Sequence, residues 1–167
     1  TTAYEMALIT RYARKYDIIK KVASTTETNV TFGNKSVNLR NTNRLLRTYP
    51  KATGMKTGFT NGANRCLAAS ASYNNLNLIA VVLGSDTSDI RFNDAKAILE
   101  DTFSKYHSYD ISNFLNIYVN IPVIKGKKEN YIRSYSDTKV EALTEDEYSK
   151  IYVSQNFISK IEAPLCK

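Results

Sequence analysis

The chain has 167 residues, enough for one ordinary domain or for one domain with part of another. Its 43% hydrophobic and 23% charged residues are a globular composition and exclude a disordered chain, and no apolar run reaches the length of a membrane span. The formal charge of +7 is spread along the chain, apart from a small cluster at Arg11, Arg14, Lys15, Lys20 and Lys21, so a solvated basic surface is expected and no nucleic acid partner.

Thr2-Ala-Tyr-Glu5 reads as a capping box opening a helix over 3–16, with Met6, Ile9, Ala13 and Tyr16 on its buried face. A short helix over 17–23 follows. Alternation from Thr28 to Leu39 about Gly33-Asn34 predicts a hairpin. Arg40 to Pro50 reads mostly as loop, with Leu45 and Leu46 turned inward. Strands are predicted near 53–58, 64–73 and 77–84, the last two joined by a tight Asn74-Asn75 turn. Leu67, Ala69 and Ala71 alternate with Ala68, Ser70 and Ser72, small enough for a helix to pack close. Cys66 is expected in the core. Ile79 to Leu83 is apolar at consecutive positions, which predicts burial on both faces and a central strand. Ser85 to Asp89 ends that strand and caps a helix near 90–106, which Ala95, Ile98, Leu99, Thr102 and Phe103 turn toward the sheet. His107, the only histidine, is expected as a charge or cap at the end of that helix.

Tyr109 to Asn116 reads as a boundary, giving domains 1–113 and 114–167. Beyond it, short β segments at 117–124, 130–135, 139–143 and 150–153 suit a small all-β module, with a turn at Lys125 to Lys128. Thr144 to Glu147 reads as a solvated loop or short cap. Two cysteines without metal spacing give no zinc site and no disulfide framework, so neither metal nor cofactor is expected.

The chemistry gathers in Gly54-Met-Lys-Thr-Gly-Phe-Thr-Asn-Gly-Ala63. Lys56 offers a compact cation that can steer an anion or pass a proton. Thr57 offers a hydroxyl for a carboxylate. Gly58 has no Cβ, so a ligand can lie against the backbone. With one histidine, a Ser-His-Asp arrangement has no route except through His107, whereas Ser-Lys chemistry needs none.

Around this stretch lie Asn41-Thr-Asn43-Arg-Leu45-Leu46, the Leu67-Ala-Ala-Ser-Ala71 strand, the Val81-Val-Leu-Gly84 strand and Arg91. In order and approximate spacing they resemble the serine-type D-alanyl-D-alanine carboxypeptidases, the low-molecular-mass penicillin-binding proteins of bacterial cell-wall metabolism. Lys-Thr-Gly is the third active-site motif of that wider group. The resemblance implies an α+β fold. An antiparallel sheet with packed helices, β-lactamase/transpeptidase-like but incomplete, is followed by the start of an accessory β-rich domain. It implies that Lys56 relays charge and protons, that Thr57 and Gly58 receive the substrate, that the Phe59 amide gives an oxyanion-hole bond, and that Arg91 assists the substrate carboxylate. Many family members carry histidine at the Phe59 position, which leaves substrate preference open. Implied partners are a peptidoglycan stem peptide ending in D-Ala-D-Ala and β-lactam antibiotics, at the outer face of the cytoplasmic membrane or in the wall.

The family's Ser-x-x-Lys nucleophile and Ser-x-Asn motif should precede the first helix, and the chain begins after them. Ser136-Asp-Thr-Lys139, Ser36-Val-Asn38 and Ser154-Gln-Asn156 match by letter but in the wrong order, and are rejected. The expectation is therefore the later part of a catalytic domain, inactive alone, whose missing N-terminal part is a partner, covalently joined or a separate chain. The competing readings are a non-catalytic wall-binding or scaffold protein of the same fold, and a β-lactamase or transpeptidase relative.

Overall fold

A computed structural model describes residues 1–115, 122–125, 139–154 and 160–162. The chain separates into two units, Thr1–Lys105 and Tyr106–Lys167. Sequence patterning set the division at 113. It falls earlier here because His107–Asp110 pairs with Val140–Leu143 and goes with the second unit.

In the first unit α1 (Ala3–Ala13) opens on the expected capping box. The Glu5 amide donates to Thr2 Oγ1, and the Thr2 amide donates to the Glu5 carboxylate. The helix stops at Ala13, and its expected inner face is only partly covered. Thr10 is buried and Met6 and Ala13 are half-buried, but Ile9 and Tyr16 are exposed. Met6 and Ile9 border an open cavity instead of packed chain. After α2 (Asp17–Ser24), β1 (Glu27–Phe32) and β2 (Lys35–Arg40) form the hairpin, with Val30 opposite Val37 and Gly33 at φ +57°. Part of the expected loop is a short helix, α3 (Leu45–Thr48). It buries Leu45 and half-buries Leu46.

The sheet follows: β3 (Ala52–Thr60), β4 (Asn64–Tyr73) and β5 (Leu76–Ser85), antiparallel in the order β3-β4-β5. Asn74 and Asn75 both take positive φ, as a tight hairpin turn requires. α4 (Ser88–Lys105) begins where the Thr87 hydroxyl accepts from the Ile90 amide. Leu67, Ala69 and Ala71 of β4 meet Phe92, Ala95, Leu99 and Phe103 of α4 in one core, which Leu45 and Tyr49 extend. Alanine on β4 lets the helix lie close and leaves the volume to Phe92 and Phe103. Ile98, expected on the inner face, is exposed.

The expectation for Ile79–Leu83 also fails. It is not a central strand: β4 holds the centre, and β5 is an edge among the described residues. Antiparallel partners share a face, so Ala80, opposite Ala69, looks to α4, while Ile79 and Val81, opposite Ser70 and Ala68, look to α1. Helices on both faces account for the consecutive apolar residues Ile79–Leu83 without a second strand neighbour. Cys66 is likewise half-buried at the open end of β4, not in the core.

The second unit pairs β6 (His107–Asp110) antiparallel with β8 (Val140–Leu143), and β7 (Val123–Ile124) parallel with β9 (Ile161–Glu162). His107 is thus a strand residue, not a helix end. A short α5 (Ser112–Leu115) follows β6. Thr144 and Glu147 form a second capping box, on α6 (Glu145–Ser149). Tyr148 of that helix stacks on Tyr109 at 4.1 Å between centroids. Residues 151–153, expected as strand, make no strand. The expected strand at 130–135 lies outside the described residues, as does most of the one at 117–124.

The entry into β3 is the tightest point of the first unit. Gly54 lies at φ +111°, and a Cβ there would stand 2.3 Å from the Ala23 carbonyl oxygen. Gly54→Ala therefore meets both a costly backbone conformation and a backbone clash. It should destabilise by about 3 kcal/mol or more. Gly62→Ala, where a Cβ meets nothing within 4 Å, should move the denaturation midpoint little. Equal midpoints for the two variants would contradict the assignment.

Candidate functional site

Lys56, Thr57 and Gly58 lie on β3, the edge strand opposite β5, with one strand neighbour among the described residues. Such an edge leaves backbone groups free to pair with an extended ligand. Just before them the chain bends. The β3–β4 register shifts between Ala52 and Gly54, and Met55 holds φ +88°, a costly conformation for a residue with a side chain. Strained backbone of this kind gathers at functional sites.

Two cavities open beside the strand. One, of about 540 Å³, is bordered by Ile18 and Val22 of α2, by Arg40 and Thr42, and by Lys56 and Thr57. The other, of about 370 Å³, is bordered by Met6 and Ile9 of α1, by Lys56 and Gly58, and by Ala68 and Val81. Lys56 thus borders both. It is exposed, its Nζ donates to the Thr57 carbonyl at 2.6 Å, and no carboxylate pairs with it among the described residues. The Thr57 side chain is nearly buried, with its hydroxyl 2.7 Å from that of Thr42. At Gly58 an added Cβ would meet only the Cys66 Cβ, at 3.7 Å. The protein's own packing does not demand glycine there. Phe59 is exposed, its ring 5.1 Å from the Arg65 guanidinium.

Arg91 stands apart from the other expected site residues. It is buried on α4, and its Nη1 donates to the carbonyls of Gly58 and Cys66, 3.1 Å each. Gly58 and Cys66 are register partners, so the guanidinium fastens β3 to β4 at the end that carries the motif. Burial above all, then the repulsion of Arg65 and Arg44, lowers its pKa below the ordinary value. Arg91 borders neither cavity.

Sequence reasoning gave no role to the residues that seat the strand. Asn43 is buried, and its Nδ2 donates to the Gly54 carbonyl at 3.0 Å. The Asn41 Nδ2 donates to the carbonyls of Ala23 and Thr25. Asn41-x-Asn43 is thus a brace between α2, the hairpin and β3. Among the described residues, no serine borders either cavity. Ser36 lies in the exposed hairpin, and Ser136 and Asn156 lie outside the described residues.

The family described as D-alanyl-D-alanine carboxypeptidase matches residues 1–87. The chain is 31% identical over 170 residues to the D-alanyl-D-alanine carboxypeptidase DacF of Bacillus subtilis, covering 100% of this chain and 43% of that protein. It is 42% identical over 100 residues to DacC of Escherichia coli, covering 59% of this chain and 24% of that one. Penicillin binding protein 5 from Haemophilus influenzae superposes with a TM-score of 0.75 at 26% identity, over 100% of this chain and 48% of its own. A mutant of the Streptomyces K15 DD-transpeptidase gives 0.59 at 28% identity, over 62% and 43%. The chain spans less than half the length of each. The likeness agrees with the expected α+β fold with its antiparallel sheet.

The Arg91 geometry has a direct consequence. Arg91→Lys keeps the charge, but a lysine is shorter and does not carry its ammonium to the place of Nη1 between the two carbonyls. It should lower stability by about 1–3 kcal/mol, read from the denaturant midpoint. An unchanged midpoint would show that the strand pair does not depend on the guanidinium.

Proposed function

The chain belongs to the D-alanyl-D-alanine carboxypeptidase family, and on that premise we propose that it supplies the Lys56-Thr57-Gly58 strand of a serine D-alanyl-D-alanine carboxypeptidase. The observation that carries this reading is the setting of Lys56 and Thr57. An unpaired ammonium and a nearly buried hydroxyl stand side by side on an edge strand at the mouth of a cavity.

The mechanism runs as follows. A serine outside residues 1–167 attacks the carbonyl carbon between the two terminal D-alanines of a wall stem peptide. The C–N bond breaks, the serine proton passes to the leaving amine, and D-alanine departs. Water then hydrolyses the acyl-serine ester. Lys56 favours the anionic substrate and relays the proton. Thr57 donates to the terminal carboxylate, and Gly58 gives the peptide room to run along the edge of β3. The Phe59 amide donates to the developing oxyanion. Arg91 serves from behind, through its hold on the Gly58 carbonyl; a direct bond to the carboxylate would require it to leave that carbonyl.

The partner that brings the serine is an N-terminal part of the same catalytic domain, covalently joined or separate. Exposed Ile9, Ile18 and Val22 around the cavities give it an apolar face to cover. Residues beyond the first unit are the beginning of an accessory domain. The enzyme works outside the cytoplasm, where the wall substrate is, and β-lactams acylate the same serine.

Thr57→Val in the complete enzyme keeps the shape and removes one charge-assisted hydrogen bond, worth about 1.5–3 kcal/mol. D-Alanine release should fall roughly ten- to a hundredfold. Lys56→Ala should cost more, and Lys56→Arg should not restore it, because a guanidinium is larger and keeps its proton. The measurements are D-alanine release and acylation by a labelled penicillin. Full activity in Lys56→Arg would remove the proton relay, and unchanged turnover in Thr57→Val would remove the carboxylate contact.

A further inference from the structure

Thr42 has no part in the reading above, yet it is the residue held most deliberately beside Thr57. Both its neighbours spend their side chains on backbone. Asn41 Nδ2 donates to the carbonyls of Ala23 and Thr25 at 3.2 and 2.9 Å, and its Oδ1 accepts from the Asn43 amide at 2.9 Å. Asn43 Nδ2 donates to the Gly54 carbonyl at 3.0 Å, and its Oδ1 accepts from the Leu45 amide at 3.1 Å. With both flanks pinned, the Thr42 hydroxyl is presented at 2.7 Å from that of Thr57, and both residues border the larger cavity with Arg40 and Lys56.

A threonine hydroxyl carries one proton and two lone pairs. In a pair of hydroxyls, one proton lies between the oxygens and the other is left over. A carboxylate only accepts, so it can bind Thr57 only when the spare proton is on Thr57. Thr42 must then donate to Thr57, and Thr57 to the ligand. Hydrogen bonds in such a chain polarise and strengthen one another. Two cations on the same cavity wall, Arg40 and Lys56, favour the anion that this arrangement needs.

We propose that Thr42 is a positioning residue: its hydroxyl orients that of Thr57 and so sets the preference of the site for a ligand ending in a free carboxylate. The inference rests on the reading that Thr57 receives the substrate's terminal carboxylate. A residue that acts through another loses its effect when the other is gone, and this separates the proposal from a plain structural role.

The test uses the complete enzyme and a synthetic peptide ending in D-Ala-D-Ala. Thr42→Val should lower kcat/KM about tenfold, and Thr42→Ser, which keeps the hydroxyl, should stay near the parent. In a Thr57→Val background, Thr42→Val should add nothing. An unchanged kcat/KM in Thr42→Val, or a second loss of similar size in the Thr57→Val background, overturns the proposal. Should the valine variant lose its cooperative thermal transition, Thr42→Ala against Thr42→Ser decides: low alanine with high serine supports it, and equal values overturn it. A parent enzyme that releases no D-alanine and takes up no labelled penicillin fails the catalytic reading itself, and this inference with it.

Discussion

One buried amide governs the geometry of the first unit. The Asn43 side chain is 1% exposed, and its two polar atoms are matched by the Gly54 carbonyl and the Leu45 amide. A buried amide left without partners costs about 1–3 kcal/mol per group, so Gly54 cannot drift from the loop without that loss. On its other side Gly54 presses against the Ala23 carbonyl so closely that only hydrogen fits. The start of β3 is therefore gripped from two directions, by a hydrogen bond and by contact. The positions of Lys56 and Thr57, two and three residues further on, follow from that grip.

The remaining order is supplied from below. Ser70 is fully buried, and the Arg14 guanidinium donates to it at 2.6 Å and to Thr53 at 3.0 Å. Thr53 is the residue that the register shift leaves over, so the bulge is matched by a cation from the C-terminal cap of α1 and does not stay an unpaired defect. Arg91 does the corresponding work at the other end of the motif. A guanidinium suits both places, because it holds its charge under burial and offers several donors in a fixed plane.

Much of this fold is legible in the sequence, and the failures have a common cause. The strands expected at 64–73 and 77–84, found at 64–73 and 76–85, and their Asn-Asn turn follow from apolar patterning and local turn chemistry. The capping box at Thr2 follows from a four-residue pattern, whereas Thr144 to Glu147 reads only as a loop or short cap. What is misread depends on neighbours distant in sequence. Ile79–Leu83 looks central because it is apolar on both faces, but helices cover it, and a residue cannot tell whether its cover is helix or strand. Ile9 and Ile98 keep the helical period of a buried face although each is exposed. Thr42 carries no local signal at all. A threonine between two asparagines reads as loop, and its importance arises only when the chain returns fifteen residues later to set Thr57 beside it.

These observations divide the basic residues of the first unit by the work that each can do. Arg14 and Arg91 have half or more of their surface withdrawn from water, and burial lowers the pKa of both. The Nη1 of Arg14 donates to two hydroxyls of the sheet, and that of Arg91 to two of its carbonyls. Moving either to a ligand would leave those acceptors unmatched, a loss that one new ion pair in a solvated cavity would scarcely offset. Lys56 is in the opposite state: exposed, bonded only to the carbonyl of its own neighbour, and without a carboxylate among the described residues. A lysine so placed can turn to an arriving anion at the cost of one hydrogen bond that water readily replaces. The buried cations thus hold the strand, and on the proposed function the exposed one is left to meet the ligand. A site that must be both preformed and responsive needs that separation, because a single residue cannot fasten the backbone and follow the substrate at once.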